Sequence, residues 1–296
     1  MTDKRVWLVR GASRGLGCAL VTGVAAAGDT VIATARDAKS VATHHPSIVP
    51  MALDVRHPQQ AREVAPAVVD RFGRIDVLVN NAGYGFVGAF EEMTDDEFRG
   101  QIDTNFWGVI HVTRAVVPIM RKQGAGRILQ VTSVGGRNAG AGLSGYHAAK
   151  FAVEGFSESL ALEVLPLGIQ VCMVEPGGFR TDWGGAFMSY AKEIGAYRES
   201  VGKRRTFMQG DYKFPGDPDK AAAAIRALVA MPKMPLRQPL GTDASIILKF
   251  TYEQALAELE KTAPLARTTD ADDADPSMTT GILDRLKGWR DSYGSL

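Results

Sequence analysis

The feature that most restricts the fold lies at the start of the chain. Four apolar residues, Val6-Trp7-Leu8-Val9, run into Arg10-Gly11-Ala12-Ser13-Arg14-Gly15-Leu16-Gly17, and an alanine- and valine-rich helical pattern follows to about Ala27. Strand, glycine loop and helix in that order bring a tightly turned backbone to a helix N-terminus. The N–H groups and dipole there favour a phosphate. A glycine triplet alone is often only a turn. Its place at the first strand-to-helix junction favours dinucleotide binding, with Gly11, Ser13, Arg14, Gly15, Leu16 and Gly17 as the contacting loop.

The same alternation repeats along the chain. A second apolar run, Thr30 to Ala35, ends at Arg36. An acidic residue there would accept from a free ribose hydroxyl, whereas arginine suits the extra phosphate of NADP. Arg14 supplies a second cation, and the plainer alternative is two solvated arginines. The third run, Ile48 to Leu53, ends in Asp54-Val55 before a helical stretch from Pro58 to Phe72. Asp54 either accepts from an adenine amino group or caps the approach to that helix. Ile75 to Val79 then meets Asn80-Asn81-Ala82-Gly83, a second small-residue turn whose asparagines can satisfy exposed backbone groups. Strands separated by helices point to an α/β fold with a parallel sheet.

A capping pattern, Thr94 to Glu97, opens a helical segment that reaches Lys122 and contains Asn105. An amide fits poorly inside a helix, so Asn105 marks either a kink or a surface position. Strand Ile128 to Thr132 ends at Ser133, and a glycine- and alanine-rich loop leads to a helix carrying Tyr146 and Lys150. That spacing puts phenol and ammonium on one helix face. The ammonium favours phenolate and draws the tyrosine towards neutrality, where it can exchange a proton with an alcohol or carbonyl. The spacing alone also fits a solvated lysine packed on a ring. Strand Ile169 to Val174 runs into Glu175-Pro176-Gly177-Gly178, a sharp turn over the sheet edge where Ser133 stands.

Taken together, Gly11-x-x-x-Gly15-x-Gly17, Asn80-Asn81-Ala82-Gly83, Asn105, Ser133, Tyr146-x-x-x-Lys150 and Pro176-Gly177 resemble the short-chain dehydrogenase/reductase family over at least residues 5 to 182. The resemblance implies a Rossmann-type doubly wound parallel sheet of about seven strands with helices on both faces, in a single domain. It implies Tyr146 as general acid/base, Ser133 holding the substrate oxygen, and Lys150 holding the nicotinamide ribose and depressing the tyrosine pKa. Asn105 becomes a helix kink that holds a water in a proton relay from Lys150. Asp54 and Val55 resemble adenine contacts, Asn81, Ala82 and Gly83 line the cofactor, Pro176 and Gly177 turn the chain over it, and Thr181 resembles the carboxamide contact. The family's threonine before the first glycine ties that turn to the Asn-Ala-Gly segment. This chain has Arg10, and a long cation is not expected to copy the bond.

Beyond Asp182 the resemblance loosens. Residues 183 to 215, which include Trp183, Phe187, Met188, Tyr190, Phe207 and Phe214, stand where the family carries its substrate lid. They fit a bulky hydrophobic or aromatic substrate, or simply lid packing. Asp217 caps an alanine-rich helix to about Ala230, a short strand includes Pro239-Leu240, and a helix spans about 244 to 261. The catalytic domain is expected over 1–262, with a C-terminal extension over 263–296 whose general shape resembles the hydroxysteroid-dehydrogenase-like branch. A formal net charge of +1 with 23% charged residues gives no electrostatic case for nucleic acid or membrane surface. The lack of a signal-peptide core or membrane-length apolar stretch points to the cytoplasm. Cys18 and Cys172 read as small packed residues, and no metal is expected. The expected function is an NADP(H)-dependent oxidoreductase that interconverts a ketone and a secondary alcohol, as a homodimer or homotetramer. The alternative is a non-catalytic NADP-binding redox sensor.

Overall fold

In a computed structural model, residues 4–185, 188–210 and 212–291 are described. Its strands are β1 (Val6–Arg10), β2 (Thr30–Ala35), β3 (Ile48–Ala52), β4 (Val77–Asn80), β5 (Gly85–Val87), β6 (Gly126–Val131), β7 (Ile169–Pro176), β8 (Met188–Tyr190) and β9 (Arg237–Leu240). The helices are α1 (Gly15–Ala26), α2 (Pro58–Phe72), α3 (Asp95–Ile102), α4 (Gly108–Gln123), α5 (Ser144–Val164), α6 (Lys203–Gln209), α7 (Pro218–Ala230), α8 (Thr242–Arg267), α9 (Pro276–Thr279) and α10 (Ile282–Asp291).

Seven strands form one parallel sheet in the order β3-β2-β1-β4-β6-β7-β9. Side chains alternate along each strand, and β1 shows the consequence. Trp7 and Val9 join the core beneath α1 and α7. Val6 and Leu8 join the core beneath α2, α4 and α5. The strand order runs outward in opposite directions from the gap between β1 and β4. That reversal opens a crevice at the carboxyl ends of the strands, where open α/β sheets bind ligands.

Thr22 and Gly23 give α1 a poor helical propensity, glycine costing about 1 kcal/mol relative to alanine. Leu20, Val21 and Val24 are buried on the same helix, and each such side chain contributes about 1.5–3 kcal/mol. Packing therefore outweighs propensity. Gly23 faces α7, where a β-carbon would make only ordinary contact, 3.7 Å from Arg226 Cδ and 3.9 Å from Ala222 Cβ, so packing does not explain the glycine.

The helical segment from Thr94 is interrupted. Its capping box forms, with Thr94 Oγ1 accepting from Glu97 N at 3.2 Å and Glu97 Oε2 accepting from Thr94 N at 2.8 Å. Between α3 and α4, however, residues Asp103–Trp107 make a π-turn. Asn105 sits in that turn, fully buried, which removes the surface alternative. Its amide bonds away from the helix, accepting from Tyr84 N at 3.1 Å and donating to Tyr84 O at 3.0 Å.

Two features of the lid and tail were not expected. β8 of the lid pairs in parallel with β5, making a separate two-stranded sheet over the crevice. α8 continues through residue 262 to Arg267, so the expected domain boundary falls inside a helix. Phe187 lies outside the described residues. Both cysteines are free, Cys172 buried and Cys18 partly so.

Candidate active site

Two turns touch at the crevice. Gly11 has a φ of 75°, a left-handed conformation that glycine adopts without strain. A β-carbon on it would sit 2.6 Å from Ala82 Cα, so the Gly11 and Asn-Ala-Gly turns are in direct contact. Asn81 Nδ2 donates to Gly11 O at 3.0 Å. Asn80 instead turns inward, donating to Thr113 Oγ1 at 3.0 Å and Gln130 Oε1 at 2.9 Å. That buried network joins β4 to β6 and α4.

Arg10 corrects the expectation that a long cation cannot tie the first turn. Val6, Leu8 and Arg10 share one face of β1, so the guanidinium reaches past the end of the sheet between the two turns. Its Nη2 donates to Ala82 O at 2.6 Å and to Thr104 O at 3.3 Å. The tie to the Asn-Ala-Gly segment survives by a longer route. Burial is complete and pushes the guanidinium down to about 9, which leaves it charged at neutral pH.

A cleft of about 540 Å³ opens above these turns, within the range of about 300–1,000 Å³ common for small-molecule sites. Gly11, Ser13, Arg14, Gly15, Leu16, Arg36, Asp54, Val55, Asn81, Ala82 and Gly83 line one end. Ser133, Tyr146, Lys150, Pro176, Gly177 and Thr181 line the rest. Gly17 and Asn105 lie beneath it. Gly17 lets α1 close on Gly11 O, and Asn105 Oδ1 would be 2.6 Å from a β-carbon on Gly83. Thr181 lies over the glycine loop, its Cβ 3.3 Å from where a side chain on Gly15 would begin.

At the reacting end, Ser133 Oγ accepts from Gly135 N at 3.0 Å, which leaves its hydroxyl proton for another acceptor. Burial pushes the Tyr146 hydroxyl up to about 12, and the bond to Ser133 only partly opposes this. Lys150 Nζ donates to Val131 O at 2.9 Å and stands 5.8 Å from the Tyr146 ring centre. Burial pushes this lysine down to about 7, Arg10 pushes the same way, and Glu154 pulls it up. The expected lowering of the tyrosine by lysine is therefore not what these side chains produce together. Desolvation dominates, and Tyr146 is protonated at neutral pH.

Residues that sequence reasoning passed over also shape the cleft. Arg56 binds Asp54 through Nη2 at 2.6 Å and holds its carboxyl below the usual range. Asp54 does not cap α2, whose N-cap is His57. Asp243, at the start of α8, accepts from Gly178 N at 2.7 Å and fixes the Pro-Gly turn. The Asp54–Arg56 pair is two residues apart and was readable in the sequence, whereas the Asp243 contact spans 65 residues and has no local signal. Trp183 packs on Tyr146 with ring centres 5.3 Å apart. The lid is held down by Glu92, which accepts from Ile194 N at 2.7 Å and from Arg205 Nη2 at 2.6 Å.

Among the described residues, no cluster of His, Cys, Asp and Glu could hold a metal, and no helix is long and apolar enough to cross a membrane. Residues 5–189 match the short chain dehydrogenase family model. The chain belongs to that family of oxidoreductases, which use nicotinamide cofactors and act on CH–OH groups. It is 39% identical over 249 residues to oxidoreductase BOA17 of Botryotinia fuckeliana, covering 81% of this chain and 90% of that one. It is 34% identical over 245 residues to 3-ketodihydrosphingosine reductase of Bacteroides thetaiotaomicron, covering 82% and 90%. The crystal structure of a short-chain dehydrogenase from Streptomyces avermitilis superposes with a TM-score of 0.85 at 43% identity, covering 91% of this chain and all of that one.

Below the tyrosine helix, Arg237 Nε donates to Glu154 Oε2 at 3.0 Å and lies 3.9 Å from Glu175 Oε1. Burial, then Glu154, pushes Glu175 up to about 7, against the pull of Arg237 and Arg137. A carboxyl raised in the folded state binds more protons folded than unfolded between its two pKa values. Its contribution is complete below the unfolded value of about 4.5 and is lost as pH rises through about 7. Glu175→Gln, which cannot ionise, should therefore raise Tm relative to wild type more at pH 8 than at pH 5, by on the order of 3 °C. Equal differences at both pH values in thermal melts would contradict this reading.

Proposed function

We propose that the protein is an NADP(H)-dependent oxidoreductase interconverting a ketone and a secondary alcohol, on a bulky hydrophobic or aromatic substrate. The observation that carries the reading is the convergence of Ser133, Tyr146 and Lys150 on the cleft that the Gly11 and Asn81–Gly83 turns also line, with Ser133 Oγ accepting from Gly135 N and its hydroxyl proton left for a substrate oxygen. A neutral phenol is the form that donates a proton to a carbonyl oxygen.

The cleft also fits the cofactor. The contacting turns at Gly11 and Ala82, the start of α1, and Arg14 and Arg36 at one end form a phosphate cradle with two cations for a further phosphate. A nicotinamide bound there would supply or accept hydride at the substrate carbon. In reduction, Ser133 donates a hydrogen bond to the substrate oxygen, and Tyr146 gives its proton to that oxygen as the C–H bond forms. Lys150 would hold the ribose, and the turn at Asn105 would admit the replacement proton. Oxidation reverses each step.

Reduction is the direction we favour, as the one expected of an NADPH-using member of the family. The 3-keto substrate in the name of the Bacteroides relative is consistent with that choice. Aromatic side chains of Tyr84, Phe179, Trp183 and Phe214 in the cleft support a bulky apolar substrate.

Two substitutions test the proposal in NADPH oxidation assays across aromatic, steroidal and aliphatic ketones. Tyr146→Phe should lose at least about 100-fold in kcat while NADPH still binds, as read by nucleotide fluorescence. Turnover at the wild-type rate would remove Tyr146 from the chemistry. Arg36→Asp should weaken NADPH binding and move preference towards NADH, and an unchanged preference would take Arg36 out of the phosphate site.

A further inference from the structure

Arg10 is a cation where burial is most costly, inside the sheet end and with no exposed surface. Only one of its three nitrogens is bonded among the described residues. Nη2 makes both bonds, to Ala82 O and Thr104 O, while Nε and Nη1 have no partner. The fold makes room for it. A β-carbon on Gly108, the first residue of α4, would come within 2.9 Å of Arg10 Nη1 and 2.6 Å of Val55 Cγ2. Val55 and the guanidinium together fill the space that a side chain at Gly108 would need.

The two carbonyls that Arg10 joins are informative. Ala82 belongs to the turn that lines the cleft, and Thr104 is the residue before Asn105 in the π-turn. Gly83, next to Ala82, is wedged between Asn105 Oδ1 and Lys150, a β-carbon on it lying 3.7 Å from Lys150 Nζ. One guanidinium thus fixes both walls of the space where the Lys150 ammonium sits. The charged groups acting on Lys150 are Arg10 from β1 and Glu154 from its own helix, with the Tyr146 phenol beside them.

We propose that Arg10 is a positioning residue for proton transfer: it bolts the Asn-Ala-Gly turn to the Asn105 kink and so fixes both walls of the space that holds the Lys150 ammonium. The inference rests on the proposed role of Lys150 beside Tyr146. Like charges in a dry interior oppose each other's ionisation, so removing one releases the other. The alkaline limb of kcat/KM is therefore set by the pair of cations.

Three variants separate charge from structure: Arg10→Met removes the cation at similar length, Arg10→Thr removes it with a shorter side chain, and Arg10→Lys keeps it. The first readout needs no turnover. Competitive labelling of Lys150 with trace acetic anhydride across pH, quantified by mass spectrometry, gives its ionisation curve. We expect the curve and the alkaline limb to move up by about one pH unit in Arg10→Met and to stay near wild type in Arg10→Lys. If the methionine variant fails to fold, Arg10→Thr carries the same expectation. A neutral variant with the wild-type labelling curve, or a lysine variant that shifts as far as the neutral one, would overturn the proposal. Tyr146→Phe, run alongside, identifies the separate failure: wild-type turnover there would reject the proposed chemistry whatever the lysine curve shows.

Discussion

The contact between the turns that end β1 and β4 is the constraint on which the site depends. Gly11 lies against Ala82 with no space for a β-carbon, Asn81 bonds to Gly11 O, and Arg10 bonds to Ala82 O. These strands are neighbours in the sheet, yet the chain leaves them in opposite directions. The crevice between the two halves can therefore hold a ligand only if its floor is rigid. Small residues let the floor close, and two side-chain bonds hold it closed. Everything above, from the glycine loop to Ser133 and Tyr146, is placed relative to that floor.

Electrostatics at the site follow from the same dryness. Burial raises Tyr146 against the hydrogen bond from Ser133, and burial together with Arg10 lowers Lys150 against the pull of Glu154. Tyrosine is consequently held as an acid, and lysine as a cation close to its limit. A second buried cation beside that lysine is the unusual feature of this chain. The carboxyl groups of Glu154 and Glu175 lie under the same helix and are held by Arg237. The reacting pair is thus bounded by charge on both sides.

Much of the fold was legible because strand and helix alternate with clear punctuation. The Pro58–Phe72 helix and the Asp217 cap matched residue by residue, since proline and aspartate act locally at helix starts. The seven-stranded parallel sheet followed from the repeated alternation. What escaped the sequence depends on distant partners. The kink at Asn105 was expected from the resemblance, but that it is a π-turn whose amide is held by the Tyr84 backbone, 21 residues away, was not. The reach of Arg10 to Ala82 spans 72 residues and needs the missing side chain of Gly108. The β5–β8 pairing joins two three-residue strands too short to announce themselves. The tyrosine–lysine spacing was visible, but its acid–base state was not, because desolvation is a property of the whole packed core.

The proposed chemistry passes hydride between a cofactor in the crevice and a carbon held beside Tyr146 and Ser133. Incubation of the wild-type protein with NADPH deuterated at the reactive C4 position and a reducible bulky ketone tests this most directly, with the alcohol analysed by mass spectrometry. The account predicts deuterium on the carbinol carbon and its loss in the Tyr146→Phe protein. Bound NADPH with no deuterium transferred to any ketone of the aromatic, steroidal and aliphatic classes would contradict it, and would leave a nucleotide-binding protein without the chemistry.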